Sequence, residues 1–262
     1  MSTAPLTIIT GDIETSPIIA KVWGLFKQNV GLNQIEQDWS IMSIAFKYLG
    51  ASKVYYNDVS GQDDLRDDAA MVMLLWQMCD EADVMIGQNF RRFDAKKMAA
   101  RWIEYGLPPP SPYIIIDTLE MAKASAAFTS NKQDWLSQKL TALSKEHHDE
   151  FPGMELWNEC LKGNPKAWRC MRKYNIRDVA GCEEMYLALR PHYPFHPNLA
   201  AYTASEDMQC TRCLSTDLVH AGSKFTNVSE YKQYRCGGCG GFCRDRYTLN
   251  SKAKRRSLLM SQ

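Results

Sequence analysis

Residues 6–14 read LTIITGDIE, a β-branched and apolar run that ends in two acids. Such a run favours a strand. Side chains alternate across a strand, so Asp12 and Glu14 leave the same face at its C-terminal end. Working outward, 40–49 (SIMSIAFKYL) and 53–57 (KVYYN) predict two further strands with little between them, as in a meander. Residues 65–82 (LRDDAAMVMLLWQMCDEA) carry the Met-, Leu- and Ala-rich pattern of a helix. Buried strands are expected at 84–87 (VMIG) and 113–117 (YIIID), separated by a helix over 96–105 that stops at Gly106 and a proline run. Two or three helices follow. The last opens at Asn164-Pro165, where Asn suits the cap and the missing proline N–H would have no partner anyway. Strands first, then strand–helix alternation, predict an α/β fold: a mixed sheet with helices on its faces.

Composition narrows the function classes. The chain has 262 residues, 31 Lys and Arg against 30 Asp and Glu, and 45% hydrophobic residues, which excludes disorder and collagen-like structure. No run approaches the roughly 18–20 apolar residues of a membrane helix. The first residues lack the basic start of a signal peptide, so none is expected. Of nine cysteines, Cys79, Cys160, Cys170 and Cys182 stand singly, while Cys210, Cys213, Cys236, Cys239 and Cys243 crowd the last quarter. An odd count with CxxC pairs reads as metal ligands in a reducing compartment, and the cytoplasm is the expected location. Pro191, Pro194 and Pro197 mark a linker. The expected organisation is therefore a first domain over 1–190, a linker over 191–204, a cysteine module over 205–250 and a basic tail over 251–262.

Three short motifs carry chemistry in the first 190 residues. Asp12-Ile13-Glu14 pairs two carboxylates at a strand end, an arrangement a divalent cation relieves; taken alone it reads more readily as two solvated acids at a strand exit. Gln88-Asn89-Phe90-Arg91-Arg92-Phe93-Asp94 leaves a strand and enters a helix, where Asp94 also suits the helix dipole and Asn89 could cap or bind a ligand. Tyr174 and Asp178 lie four apart in the last long helix, on one face with Met171, Cys182 and Met185. A carboxylate on so apolar a face needs a partner, whether a basic side chain or a cation. His147-His148 and His192/His196 have no metal-binding spacing, and Asp117 reads as structural.

Taken in order, DxE on the first strand, N-x4-D after a later strand and Y-x3-D on the last helix resemble the DEDD superfamily of 3′–5′ exonucleases in its Tyr-containing branch. Ile116-Asp117-Thr118-Leu119, Leu156-Trp157 and AWRCMRKYNIRDV add local matches, and the resemblance covers about residues 5–190. It is closest in kind to stand-alone exonucleases of bacteriophages and bacteria, related to DNA polymerase proofreading domains. The resemblance implies an RNase H-like fold with a five-stranded mixed sheet, the second strand antiparallel. It implies two Mg²⁺ or Mn²⁺ ions on Asp12, Glu14, Asp94 and Asp178. By the same resemblance Asp12 would bridge them, Asp94 would act through a water, and Tyr174 would orient the attacking water. Gln88 and Asn89 are implied to touch substrate; family members often carry His at the position of Gln88. The expected activity is 3′–5′ hydrolysis of DNA, from single-stranded ends, in proofreading, replication or repair beside a polymerase or other replication protein. An exoribonuclease and a catalytically idle adaptor in such an assembly are the alternatives.

Cys210-Thr-Arg-Cys213 and Cys236-Gly-Gly-Cys239 have the spacing of a four-cysteine zinc ribbon holding one structural Zn²⁺. Gly237, Gly238, Gly240 and Gly241 permit the tight turns that aim amide N–H groups at thiolates. The intervening residues read as strand, turn, strand. Arg235, Arg244 and Arg246, with Tyr247 and the basic run 252–256, form a surface suited to phosphate and to stacking on bases, or a solvated tail.

Overall fold

The computed structural model describes residues 5–142 and 150–259. The chain divides into two compact units. One comprises Thr7–Glu120 and Phe128–Tyr186, and the other Met1–Leu6, Met121–Ala127 and Leu187–Gln262.

In the first unit, β1 (Ile8–Thr15) leads into a small antiparallel pair, β2 (Ile19–Ala20) and β3 (Ile35–Gln37). The main sheet continues with β4 (Ile41–Tyr48), β5 (Tyr55–Asp58), β6 (Val84–Gly87) and β7 (Ile114–Asp117). The strand order is β5-β4-β1-β6-β7. β4 runs antiparallel to β1 and β5, while β6 is parallel to β1 and β7. The helices are α1 (Ala69–Glu81), α2 (Asp94–Glu104), α3 (Thr118–Ser125), α4 (Gln133–Leu140), α5 (Glu155–Leu161) and α6 (Pro165–Leu189). This is the α/β, mixed five-stranded architecture that the sequence pattern predicts.

Alternation along β1 decides what each face receives. A β-carbon on Gly11 would meet the Met85 and Met78 methyl groups at 3.4 and 3.9 Å, so this face packs against α1. On the opposite face, Asn175 of α6 donates to Asp12. Helices therefore cover both faces. Met71, Val72, Leu75, Met78 and Cys79 form the buried stripe of α1 at helical spacing, and they join Ile9, Ile13, Ile44 and Met85 in the core.

The expected helix over 65–82 begins at Ala69 instead. Asp64 closes a turn by accepting the Arg66 N–H (2.9 Å), and the Asp67 N–H bonds the Asp64 carbonyl (3.0 Å), which holds these residues outside the helix. Asp68 does not cap α1 with its side chain. Its fully buried carboxylate accepts from the Ile41 N–H (2.8 Å), Arg101 Nε (2.9 Å) and the Tyr105 hydroxyl (2.9 Å). The helix expected over 96–105 starts two residues earlier, at Asp94. Pro165 opens α6, and the Asn164 side chain accepts the Lys166 N–H at 3.0 Å.

The second unit contains an antiparallel sheet of β8 (Leu218–Phe225), β9 (Glu230–Cys236) and β10 (Phe242–Thr248) in the order β10-β9-β8. A short helix, α7 (Lys252–Ser257), follows, its first turn capped by the Ser251 hydroxyl, which accepts the Lys254 N–H. Among the described residues, no helix is long and apolar enough to cross a membrane.

Candidate metal centres

Asp12 and Glu14, two apart on β1, share the face that α6 covers. From α6, Asp178 joins them, and one carboxylate oxygen of each lies within 4.8 Å of the others. At that separation two carboxylates repel by about 3 kcal/mol for an effective dielectric of roughly 20. One hydrogen bond to a charged group offsets only about 1.5–3 kcal/mol. Asp12 receives one such bond, from Asn175 Nδ2 at 2.6 Å. Burial, followed by the charges of Asp94, Glu14 and Asp178, pushes the Asp12 carboxyl well above the usual carboxylate range despite that bond. Its all-oxygen donor set suits a hard divalent cation.

The other side chains hold this geometry. Asn175 is fully buried and bridges two strands, accepting from Ser43 Oγ (3.2 Å) while donating to Asp12. Ser43 sits opposite Glu14 in the β1–β4 register. The Trp157 indole N–H of α5 donates to Glu14 (3.2 Å), and its ring meets that of Tyr174 edge-on at 6.1 Å. Gln133 of α4 donates to the Asp178 carbonyl at 2.9 Å. The Tyr174 hydroxyl bonds Asp178. Burial, then the charges of Asp178, Glu14 and Asp12, raise its pKa above that of a free tyrosine.

Asp94 stands apart from the group of three. It is the first residue of α2, 2% exposed, and accepts the Ile13 N–H at 3.2 Å. Burial pushes its carboxyl up to about 7 against the lowering by that N–H and its own amide, with Asp117 adding repulsion. Its charge acts on Asp12. Asp117 itself accepts the N–H groups of Asn89 (2.9 Å), Leu119 (3.0 Å) and Arg91 (3.1 Å). These bonds hold Asn89 at φ +57°, a conformation Asn adopts more readily than most residues. The Gln88 amide is engaged at both ends, donating to the Asn131 carbonyl (3.1 Å) and accepting from the Thr118 hydroxyl. His147 and His148 lie outside the described residues.

Sequence reasoning assigns no role to Asn175, Ser43 or Gln133. For Asn175 a signal exists. Met171, Asn175, Val179, Cys182 and Tyr186 make one buried stripe of α6, in which Asn is the single amide.

In the second unit, Cys210, Cys213, Cys236 and Cys239 each place a sulfur within 4.8 Å of the others, a set able to hold a metal ion. The two CxxC turns share one geometry. The Leu214 N–H bonds the Cys210 carbonyl (3.0 Å) and the Gly240 N–H bonds the Cys236 carbonyl (2.9 Å), both fifth residues having positive φ, +63° and +76°. A β-carbon on Gly237 would fall 1.8 Å from Asp217 Oδ2, so a larger residue there would have to turn the exposed Asp217 carboxylate aside. Burial pushes the Cys236 thiol up, but the Cys239 amide, the neighbouring thiols and the Gly238 amide outweigh it and leave Cys236 below its ordinary value. Four sulfurs brought this close suit a soft or borderline cation. Cys243, on β10, lies outside the foursome. It donates to Cys210 Sγ at 3.7 Å and contacts Thr211 Oγ1 at 3.4 Å, and the first of these bonds, then burial, raises its pKa.

Arg235, Arg244 and Arg246 are exposed and stack on rings, over Phe242 (5.8 Å), Tyr231 (4.1 Å) and Tyr247 (5.1 Å) respectively. Beside them, a cavity of about 450 Å³ is lined by His196, Arg212, Tyr231, Phe242, Arg244 and Arg246 among others.

No protein-family model and no curated protein matches the sequence. Among solved structures, the family B DNA polymerase from the hyperthermophilic archaeon Pyrobaculum calidifontis is similar at 15% identity with a TM-score of 0.45. The match takes in 73% of this chain and 26% of the polymerase, so the chain spans about a quarter of that protein, and a likeness at this level fixes neither activity nor substrate.

Proposed function

We propose that the chain is a metal-dependent 3′–5′ exonuclease acting on DNA, with single-stranded 3′ ends as substrate. The observation that carries this reading is the convergence of Asp12, Glu14 and Asp178 within 4.8 Å, on the face where Asp94 also exerts its charge. Asp12, Glu14 and Asp178 would hold Mg²⁺ or Mn²⁺, with Asp94 completing the set for a second ion. Two such ions stabilise charge on the attacking and leaving oxygens of a phosphodiester and lower the pKa of the nucleophilic water.

The protein's own groups supply position. Asn175 keeps Asp12 aimed across the sheet, Trp157 keeps Glu14 from turning to solvent, and the Tyr174 hydroxyl, held on Asp178, orients the attacking water. The four cysteines would hold one structural Zn²⁺, which supplies stability that so small a module lacks from its core. In this reading residues 1–190 hydrolyse, 191–204 link, 205–250 form the ribbon and 251–262 a basic tail. Arg235, Arg244 and Arg246 are the groups for the phosphate backbone, and a polymerase or other replication protein is the partner.

A 5′-labelled DNA or RNA oligonucleotide with Mg²⁺, Mn²⁺ or EDTA tests the proposal. We expect a ladder on DNA that needs the metal, and its abolition in folded Asp12→Ala and Asp178→Ala chains. A ladder on RNA alone makes the enzyme an exoribonuclease, and turnover unchanged in either variant sinks the catalytic assignment.

A further inference from the structure

Between β1 and β4 the chain forms an arm that the acidic cluster does not use. Its base is well anchored. The Ser16 N–H bonds the Ser40 carbonyl (2.8 Å), the Ser40 N–H bonds the Ser16 hydroxyl (2.8 Å), and Arg66 donates to the Asp38 and Pro17 carbonyls. Further out, the Lys21 N–H bonds the Gln34 carbonyl, and Gln34 returns a bond from its side chain to the Lys21 carbonyl (2.7 Å). The tip beyond this clasp reads VWGLFKQN and carries Trp23 at 99% exposure, Leu25 at 88% and Phe26 at 84%. An anchored stem with bare rings at its end presents a surface of a kind that soluble proteins rarely leave without a function.

We infer that this arm is a stacking platform for an unpaired nucleic-acid strand, an inference that rests on the exonuclease reading. Charge favours that occupant. Residues 22–34, which make up the outer part of the arm, carry a single charged side chain, Lys27, and it is basic. Lys21 pairs with Glu36 at 2.6 Å and Lys27 projects from the tip, itself at φ +54°. Position favours it as well. Ser16, the first residue of the arm, lies two places past Glu14 and directly follows β1, so the arm grows from the carboxylate-bearing end of that strand. Aromatic faces beside a cation accept any base, because every base has a π-face and every nucleotide a phosphate.

The test uses the full chain and two substrates, an oligothymidylate long enough to span several stacking positions and a thymidine dinucleotide too short to reach the arm. In Trp23→Ala/Phe26→Ala we expect KM for the oligothymidylate to rise about fivefold to a hundredfold for each ring removed. Its kcat and the hydrolysis of the dinucleotide should not change. In EDTA, oligothymidylate should quench the fluorescence of the parent chain more than that of Trp23→Phe. This binding measurement still reads the arm if neither substrate is cleaved, an outcome that would defeat the exonuclease reading alone. A folded double variant that binds oligothymidylate as the parent does overturns the assignment and leaves the tip to a protein partner.

Discussion

At Asn175 one side-chain amide joins β4 to β1 through Ser43 and Asp12, and no ligand atom is its own. Residues that orient a metal ligand typically contribute 10–100-fold to affinity or activity. Asn175→Ala should therefore lower kcat and weaken Mn²⁺ binding by about that range in a chain that melts near the parent temperature; unchanged Mn²⁺ titration would show that Asp12 holds its place unaided. Spacing in the sequence makes Tyr174 and Asp178 legible, whereas Asn175 stays hidden because its importance lies in burial, which the choice of possible ligands does not weigh. His196 makes a different residue-scale prediction. Burial, opposed by its bond to the Pro197 carbonyl and aided by Arg212 and Arg190, lowers its pKa from 6.5 to about 4. The folded chain then binds fewer protons than the unfolded one between those values. Stability from this group is intact above pH 6.5 and declines as pH falls toward 4, by at most about 3 kcal/mol. Urea midpoints measured across that window should fall less steeply in His196→Gln than in the parent.

Among the elements, α1 shows what patterning can and cannot foretell. Its buried stripe is legible as Met, Leu and Ala at helical spacing, yet its start depends on Asp68, whose partners Ile41, Arg101 and Tyr105 come from β4, α2 and the residue that ends α2. Removing one member of a buried, hydrogen-bonded ion pair costs roughly 3–5 kcal/mol, because the partner charge is left without compensation. Asp68→Ala should lose stability on that scale by urea denaturation, while Asp64→Ala, which affects only an exposed turn, should lose far less. The five strands are visible because β-branched and apolar residues cluster in short runs. β2 and β3, of two and three residues, present no such run, and their pairing relies on backbone bonds between residues far apart in sequence. The cysteine turns are legible from spacing alone, since a CxxC pair leaves few ways to bring both sulfurs to one side; the positive φ of Leu214, a residue poorly suited to it, is not.

For the molecule as a whole, the near-neutral charge conceals segregation. Residues 201–262 hold 10 Lys and Arg against 5 Asp and Glu, and the remainder is net acidic. If the exposed arginines meet phosphate, replacing Arg235, Arg244 and Arg246 together with Gln should flatten the dependence of oligonucleotide affinity on salt, by about 0.7 in log–log slope for each single-strand phosphate left without its arginine. An unaltered slope would assign that surface to a protein. The order in which the clustered acids occur along the chain has a further consequence, in time instead of space. The Asp12–Asn175 bond spans 163 residues, and Asp178 comes later still. At roughly 5–20 residues per second of synthesis, β1 waits on the order of ten to thirty seconds for α6. Throughout that interval the emerging polypeptide has an acidic strand but no assembled centre, because Asp178 has yet to join Asp12 and Glu14. On the proposed reading, hydrolysis would begin only once α6 has been made and packed against β1.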